Sequence, residues 1–395
     1  MEKWFDFKGR GTKASTEVIA GITTFITMVY IAIVNPAILS KTGMDFNGVF
    51  VATILATMIG TLIMGVFSNY PIAIAPGMGL NSFFAFAVVL ALGITWQKAL
   101  GAVFIASLIF LVLSFTKFRN VLINSIPESL KHSITAGIGL FIAFIGLQGS
   151  KIIVDSPATL VTFGHASDPV VLLTIFNLFV TVVLMMFNVR GNIFIGMVIT
   201  AIIALFNGMI TLPPSLFVWP TGLEHTAMQM DIKGVFDDNL YAIIFTFFLI
   251  TLFDTTGTMI GIAEQAGLIK DGKFPRIKSA LLADAVGSTA GAMLGTSPTS
   301  AYIESGAGVA VGGRTGFSSV VVELLFGLLL FCAPLAQMLA SIPAITAPAL
   351  IIVGFLMMSS LRNIDWNDFE ESFPAFLIVF LMPLSYSIAI GIGIG

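Results

Sequence analysis

Long apolar runs separated by short polar stretches recur along nearly the whole chain. About 20 consecutive apolar residues are enough for a helix to cross the hydrocarbon core of a bilayer. The pattern therefore predicts an all-α polytopic membrane protein with thirteen candidate spans. These spans begin near residues 17, 49, 80, 99, 132, 169, 191, 240, 278, 304, 317, 341 and 373.

The composition favours the same class of protein. Of the 395 residues, 57% are hydrophobic and 10% are charged, and the mean hydropathy is +1.02. An ordinary soluble domain has about 25% charged residues. The sequence contains no zinc-protease, hydrolase-elbow or P-loop motif. We expect no enzymatic activity, no metal or cofactor and no nucleic-acid partner.

The distribution of Lys and Arg residues predicts the orientation of the chain in the membrane. Suppose that the N-terminus is cytoplasmic and that successive loops lie on alternate sides of the membrane. Of the 18 Lys and Arg residues, four then lie outside the cell, namely Lys41, Lys98, Lys151 and Lys233. An excess of Lys and Arg is typical of cytoplasmic loops. We therefore expect a multi-pass protein of the cytoplasmic membrane with its N-terminus inside the cell.

Two parts of the sequence resemble each other. When residues 53–82 are shifted by 227 positions onto residues 280–309, Pro71 aligns with Pro298 and several glycines coincide. Seven candidate spans separate the two parts. An odd number of spans reverses the orientation, so the similarity predicts the inverted repeats typical of secondary transporters.

The repeat divides the chain into four regions. Residues 1–15 are expected to be a cytoplasmic N-terminal segment, and residues 16–206 the first repeat with spans 1–7. Residues 207–239 would form an external loop, and residues 240–395 the second repeat with spans 8–13.

Each repeat contains a proline-bearing stretch followed by glycines inside an apolar region. Pro71 and Pro298 disfavour a continuous helix, while Gly79 and Gly306 permit close backbone approach. We expect two broken spans whose half-helix N-termini offer free amides near the middle of the membrane. Exposed backbone at that depth must line an enclosed cavity, which a polar substrate would fill.

Several polar residues fall at membrane depth. Asp254, Asp284 and Glu304 lie within or beside apolar runs, where ionisable residues usually have a function. We interpret Glu304 as a substrate ligand rather than a helix cap, and Asp254 as a substrate or proton site rather than a structural carboxylate. For Asp284, two roles stay open, namely structural hydrogen bonding and proton coupling. For Asn81, the open roles are substrate ligand and helix cap.

Four stretches in order carry a family resemblance. They are TEVIAGITTFITMVYIAIVNP, APGMGLNSFFAFAV, TLFDTTGTMIGIAEQAG and ADAVGSTAGAMLGTSPTSAYIESGAGVAVGGRTG. They resemble the AzgA-like purine permeases, a branch of the xanthine/uracil nucleobase-cation symporter family, and the resemblance runs from about residue 4 to the chain end. It implies seven plus seven inverted spans, with a short strand at the start of spans 3 and 10. The last span would be missing from this chain.

The resemblance also implies two domains and an activity. The core domain would contain spans 1–4 and 8–11, and the gate domain spans 5–7 and 12–13. The implied activity is proton-coupled import of purine nucleobases such as hypoxanthine, guanine and adenine. A homodimer in the lipid bilayer is the implied assembly.

The implied purine ligands are Asp254, Glu304 and Asn81. A carboxylate can accept two N–H bonds from a purine edge. We interpret Asp254 or Asp284 as the proton carrier, because desolvation favours a neutral carboxyl group and Glu304 is better used as an ionised acceptor; Na⁺ in place of H⁺ stays open. The remaining candidates are the backbone at Gly79 and Gly306 and ring stacking by Phe83, Phe84 or Phe253.

Two alternative functions stay open. An anion exchanger of the same fold, for sulfate or bicarbonate, would be expected to have a basic or purely dipolar centre, whereas this sequence has three carboxylates and no Lys or Arg at membrane depth. A nucleobase channel or sensor is not distinguished by the residues alone.

Overall fold

A computed structural model describes residues 2–116, 127–269 and 275–395. Of the basic residues that predict topology, Lys117, Arg119, Lys270 and Lys273 lie outside these ranges. The described α-helices are α1 Glu2–Phe5, α2 Ala14–Met28, α3 Ile31–Leu39, α4 Phe46–Ile63, α5 Met78–Ser82, α6 Trp96–Ser114, α7 Glu128–Gly149, α8 Pro169–Met186, α9 Asn192–Phe206, α10 Ile232–Asp237, α11 Tyr241–Gln265, α12 Ile277–Leu294, α13 Ser305–Ala310, α14 Gly316–Leu329, α15 Ala333–Ala340, α16 Pro343–Met357, α17 Phe369–Ser385 and α18 Ile388–Ile394.

Short irregular helices and four strands complete the described structure. π-Helical turns extend α4 over Met64–Ser68 and α5 over Phe83–Ala91. The 3-10 helices are Ser40–Thr42, Leu223–His225, Leu330–Cys332 and Met358–Asn363. The strands are β1 Ile74–Pro76, β2 Ile153–Ser156, β3 Leu160–Phe163 and β4 Thr299–Ala301, paired as β1 with β4 and β2 with β3.

Eight helical segments of the described ranges are long and apolar enough to cross a membrane. The predicted multi-pass, mostly helical membrane protein is confirmed. Two predicted spans are shorter apolar helices, Met78–Ala91 and Asn192–Phe206. The predicted spans near residues 278 and 373 form the helices Ile277–Leu294 and Phe369–Ser385, which are not among the eight. The apolar run that begins near residue 304 contains the six-residue helix Ser305–Ala310, directly after a strand.

The chain divides into two compact units. Unit 1 comprises Met1–Ile123 and Phe217–Ala333, and unit 2 comprises Asn124–Leu216 and Pro334–Gly395. In unit 1, α12 packs on α4 and α6, α14 packs on α2 and α4, and α13 packs on α2. In unit 2, α7 packs on α16 and α17, and α16 also packs on α8. Assigning these units as core and gate stays a prediction.

Glycines permit the closest helix crossings within each unit. In unit 1, a Cβ on Gly316 would lie 1.9 Å from the backbone oxygen of Gly65, so α14 and the end of α4 meet backbone to backbone. In unit 2, a Cβ on Gly354 would lie 2.3 Å from the backbone oxygen of Gly139. Any larger residue at these positions would push the helices apart.

Aspartate caps define where two of the spans begin. Asp45 accepts a hydrogen bond of 2.7 Å from the amide of Gly48 at the start of α4. Asp168 accepts one of 2.8 Å from the amide of Val170 at the start of α8, where proline occupies the first helical position. This backbone bond holds the pKa of Asp168 below its usual value.

Candidate functional site

The two proline-bearing stretches meet as a pair of short antiparallel strands in unit 1. Ala75 of β1 lies opposite Ser300 of β4, and all six strand residues are buried. The pairing extends by one bond at each end, from the amide of Gly77 to the oxygen of Pro298 and from the amide of Tyr302 to the oxygen of Ala73, both 3.0 Å. The strands thereby satisfy each other's backbone groups inside an apolar protein. The predicted strands at the start of spans 3 and 10 are confirmed.

A helix starts directly after each strand, but the two helix starts differ. In α5 the first backbone bond of the helix runs from the amide of Asn81 to the oxygen of Gly77, at 2.9 Å. The amides of Met78, Gly79 and Leu80 therefore lie in the first turn, where no preceding helical carbonyl is available. The structure thus keeps the predicted half-helix N-terminus next to β1.

The start of α13 is closed by a tight turn. The amides of Ser305, Gly306 and Ala307 donate to the backbone oxygens three residues earlier, at 2.9–3.0 Å. The expectation of free amides is therefore wrong for this helix, because tight i to i−3 bonds use these groups. The oxygen of Gly306 also accepts a bond of 3.3 Å from the side chain of Gln265.

Asp254 lies beside the strand pair. It is partly buried on α11, and its carboxylate interacts with the hydroxyl of Ser300. A Cβ on Gly77 would lie 2.8 Å from the Ser300 hydroxyl oxygen and 3.5 Å from Oδ2 of Asp254. The absence of a side chain at Gly77 therefore leaves space next to the carboxylate and at the end of β1.

Glu304 lies at the end of the other strand segment, immediately before α13. Although it occupies the N-cap position, its side chain makes no cap hydrogen bond. Its Oε1 instead accepts a bond of 2.5 Å from the hydroxyl of Tyr30. Its backbone oxygen lies 3.4 Å from the hydroxyl of Thr27, which is closer to the carbonyl of Thr24 at 2.8 Å. Asp254 lies beside Ser300 of β4, and Glu304 follows the same strand. The structure therefore places both predicted residues at the strand pair.

Asp284 is a fully buried residue behind the strand pair. Its Oδ2 accepts a bond of 2.6 Å from the hydroxyl of Thr255, and its Oδ1 accepts one of 2.8 Å from the hydroxyl of Thr299. Thr255 follows Asp254 on α11, and Thr299 begins β4. Asp284 thus ties the helix that carries one candidate ligand to the strand that contacts it.

Asn81 belongs to a buried amide and hydroxyl network. Its Nδ2 donates a bond of 3.0 Å to Oδ1 of Asn35, and its Oδ1 accepts one of 3.2 Å from Ser82. The Nδ2 of Asn35 donates in turn to the hydroxyls of Thr53 and Thr296, at 2.7 and 2.8 Å. The network links span 1 to both strand segments, and a purine-binding role of Asn81 stays a prediction.

The predicted stacking residues lie in the core of unit 1. Phe83 meets Phe247 edge to face at a centroid distance of 4.9 Å, and Phe84 lies 6.3 Å from the same ring. Phe83, Phe84 and Phe253 are all buried. Their contacts in this structure are those of aromatic packing, and stacking on a substrate stays a prediction.

Sequence reasoning did not identify the residues that hold the carboxylates. Tyr30, Ser300 and Thr255 each contact Glu304, Asp254 or Asp284, yet they lie up to 274 positions away in sequence. Asn35 could have indicated the polar network from the sequence. It is an amide side chain in the apolar run VYIAIVNPAIL, and a buried amide needs hydrogen-bond partners.

Comparison with known proteins identifies the family. The sequence profile of a permease family, the xanthine/uracil permeases, matches residues 15–394. The chain belongs to this family. Among the xanthine/uracil permeases, the guanine/hypoxanthine permease PbuO of Bacillus subtilis is 51% identical, and the match covers 99% of this chain and 92% of that protein. The adenine permease AdeP of Escherichia coli is 46% identical, with coverage of 100% of this chain and 88% of that protein.

A solved structure shows the fold of this xanthine/uracil permease. The transmembrane domain of the cyanobacterial bicarbonate transporter BicA matches with a TM-score of 0.72 and 14% sequence identity, over 96% of this chain and 97% of that chain. The shared fold is the seven plus seven inverted repeat. The predicted transporter fold is confirmed, and the likeness concerns the fold alone.

Proposed function

We propose that this permease imports purine nucleobases, namely hypoxanthine, guanine and adenine, across the cytoplasmic membrane in symport with protons. The observation that carries the proposal is the pair of partly buried carboxylates, Asp254 and Glu304, beside two crossing strands. The relatives PbuO and AdeP are named as guanine/hypoxanthine and adenine permeases.

The chemistry of the site fits a flat heterocycle with N–H donors. Asp254 and Glu304 supply acceptors, while the first-turn amides of α5, including that of Gly79, supply donors for a carbonyl or ring nitrogen. A buried site of this kind rejects an analogue that lacks one polar group, because the partner group then stays unpaired. Asn81, Gly306 and Phe83 are proposed to complete the binding site from its edges.

Alternating access would follow from movement of one unit against the other. We assign spans 1–4 and 8–11 to the core domain and spans 5–7 and 12–13 to the gate domain. Protonation of Asp254 or Asp284 during the cycle would couple purine entry to the proton gradient. We further propose a cytoplasmic N-terminus and a homodimer.

The test is uptake of radiolabelled purines by a bacterium that lacks its own purine permeases. Cells expressing this chain should take up hypoxanthine, guanine and adenine saturably, and an uncoupler should abolish accumulation. Glu304→Gln should lower uptake by about tenfold or more, since it replaces a charged acceptor. Glu264→Gln is the matched control, because Glu264 is exposed at the end of α11 and should leave uptake unchanged.

The same experiment separates the alternatives. If inserted protein transports sulfate or bicarbonate and no purine, the anion-exchanger function replaces the proposal. Purine flux without trans-stimulation in counterflow would indicate a channel, since a channel carries out no exchange.

A further inference from the structure

The hydroxyl of Tyr30 occupies one oxygen of Glu304. Tyr30 is fully buried at the junction between α2 and α3, and its phenol donates to Oε1 at 2.5 Å. No other side chain in the described part of the chain donates a hydrogen bond to this carboxylate. Oε1 therefore already accepts one side-chain bond from the protein, whereas Oε2 has no side-chain donor among the described residues. The backbone amide of Glu304 also bonds to the carboxylate.

The same turn of span 1 also approaches the backbone of Glu304. The hydroxyl of Thr27, three residues before Tyr30, lies 3.4 Å from the backbone oxygen of Glu304. Tyr30 cannot swing away easily, since it is enclosed on all sides and its backbone oxygen accepts the amides of Ile33 and Val34 at 3.0 and 2.9 Å. The Tyr30 phenol is therefore held in place beside Oε1 of Glu304.

A carboxylate with one oxygen already hydrogen-bonded to the protein recognises purines differently from a carboxylate with both oxygens available. Guanine carries two adjacent donors on one edge, the ring N1–H and the 2-amino group, which match both oxygens of a free carboxylate. Hypoxanthine carries the ring N1–H but no 2-amino group. Any second donor at Oε1 would have to share that oxygen with the Tyr30 phenol.

We propose that Tyr30 is a specificity-determining positioning residue that weakens Oε1 of Glu304 as an acceptor for a second purine donor, so that the site binds purines with and without a 2-amino group about equally. The proposal rests on the purine transport proposed above. Tyr30 acts through Glu304 and needs no contact with the purine itself.

The test compares guanine with hypoxanthine in wild-type protein and in Tyr30→Phe. The ratio of their inhibition constants against labelled hypoxanthine uptake is independent of expression level. We expect a wild-type ratio within about threefold of unity, and a shift of roughly tenfold in favour of guanine in Tyr30→Phe, where a released Oε1 can accept the 2-amino group.

Tyr302→Phe is the matched control. The phenol of Tyr302 is also buried nearby, but it donates to the backbone oxygen of Pro76 at 2.6 Å. Its removal should alter uptake of both purines in parallel and leave the ratio of inhibition constants at the wild-type value.

Each outcome of the test decides one point. An unchanged ratio in Tyr30→Phe, an equal shift in Tyr302→Phe, or a wild-type preference for guanine beyond about tenfold would overturn the role of Tyr30. If Tyr30→Phe is inactive in cells, the ratio is measured by equilibrium binding to purified protein. If Tyr30→Phe yields no folded protein, the proposal is decided by the ratio of the guanine and hypoxanthine inhibition constants of wild-type protein. Absence of uptake of either purine by wild-type protein would instead refute the proposed function.

Discussion

Asp254 and Glu304 are held by neutral hydroxyl groups rather than by basic residues. Ser300 interacts with Asp254, and Tyr30 donates to Glu304. A hydroxyl donor steadies a carboxylate without cancelling its charge, so the carboxylate stays available to a substrate donor or a proton. An Arg or Lys partner at the same place would occupy the carboxylate oxygens and compete with the N–H donors of the neutral substrate.

The substitution Gly77→Ala tests whether transport needs the space beside Asp254. In Gly77→Ala, the new methyl group would approach the Ser300 hydroxyl to 2.8 Å and fill the space next to Oδ2 of Asp254. We expect purine uptake to fall by about tenfold or more, since loss of even one good polar contact has that effect. The measurement is initial uptake rate normalised to the amount of protein in the membrane.

Gly261→Ala is the control for this substitution. Gly261 lies on the same helix as Asp254, and a Cβ there would meet nothing within 4 Å. Alanine favours a helix over glycine, so uptake and yield should be at least those of the wild type. Equal loss of uptake in both variants would show that the space at Gly77 has no special role.

At the scale of elements, Asp284 joins α12, α11 and β4. Asp284→Leu removes the carboxylate acceptor of Thr255 and Thr299 and should destabilise the protein by about 1–3 kcal/mol, since the buried Thr255 hydroxyl loses its acceptor. The Thr299 hydroxyl keeps its contact with Ser288 at 3.0 Å. Asp284→Asn keeps one acceptor oxygen and should cost less. Thermal unfolding of the purified variants measures both effects, and equal melting temperatures for Asn, Leu and wild type would contradict the structural role.

Glu17 ties the two repeats together within unit 1. Its Oε1 accepts the amides of Arg314 and Thr315 at 2.8 and 3.2 Å, directly before α14, although the residue belongs to α2. Among the described residues its Oε2 is buried without a partner. A negative charge at a helix start is favourable, which offsets part of the cost of burial.

Glu17→Ala should therefore lower the free energy of unfolding by about 1–3 kcal/mol, because two backbone amides lose their acceptor. Glu128→Ala serves as the comparison, since its side chain is 76% exposed. Among the described residues it pairs with Lys131 and His132 on its own helix, and exposed pairs contribute little. Thermal unfolding in detergent provides the measurement. A melting temperature for Glu17→Ala as high as that of Glu128→Ala would contradict this account.

At the scale of the whole molecule, hydropathy and the repeat were sufficient to predict the helical transporter fold. Pro71 and Pro298 also marked the two places where the spans break into strands. The start of α13 was not predicted correctly, because the sequence does not show whether the amides of residues 305–307 close a tight turn. The partnership of Tyr30 with Glu304 was not predictable either, since a contact across 274 residues depends on tertiary packing.

Proton coupling through a buried carboxylate is the central claim at this scale. The most direct measurement is hypoxanthine accumulation in proteoliposomes with an inside-alkaline pH gradient, for wild type, Asp254→Asn and Asp284→Asn, alongside counterflow exchange. We predict that wild-type protein accumulates hypoxanthine above the external concentration, that an uncoupler abolishes this, and that at least one Asn variant loses accumulation. Accumulation by wild-type protein that does not depend on the pH gradient would contradict the account. Undiminished accumulation by both Asp254→Asn and Asp284→Asn would also contradict it.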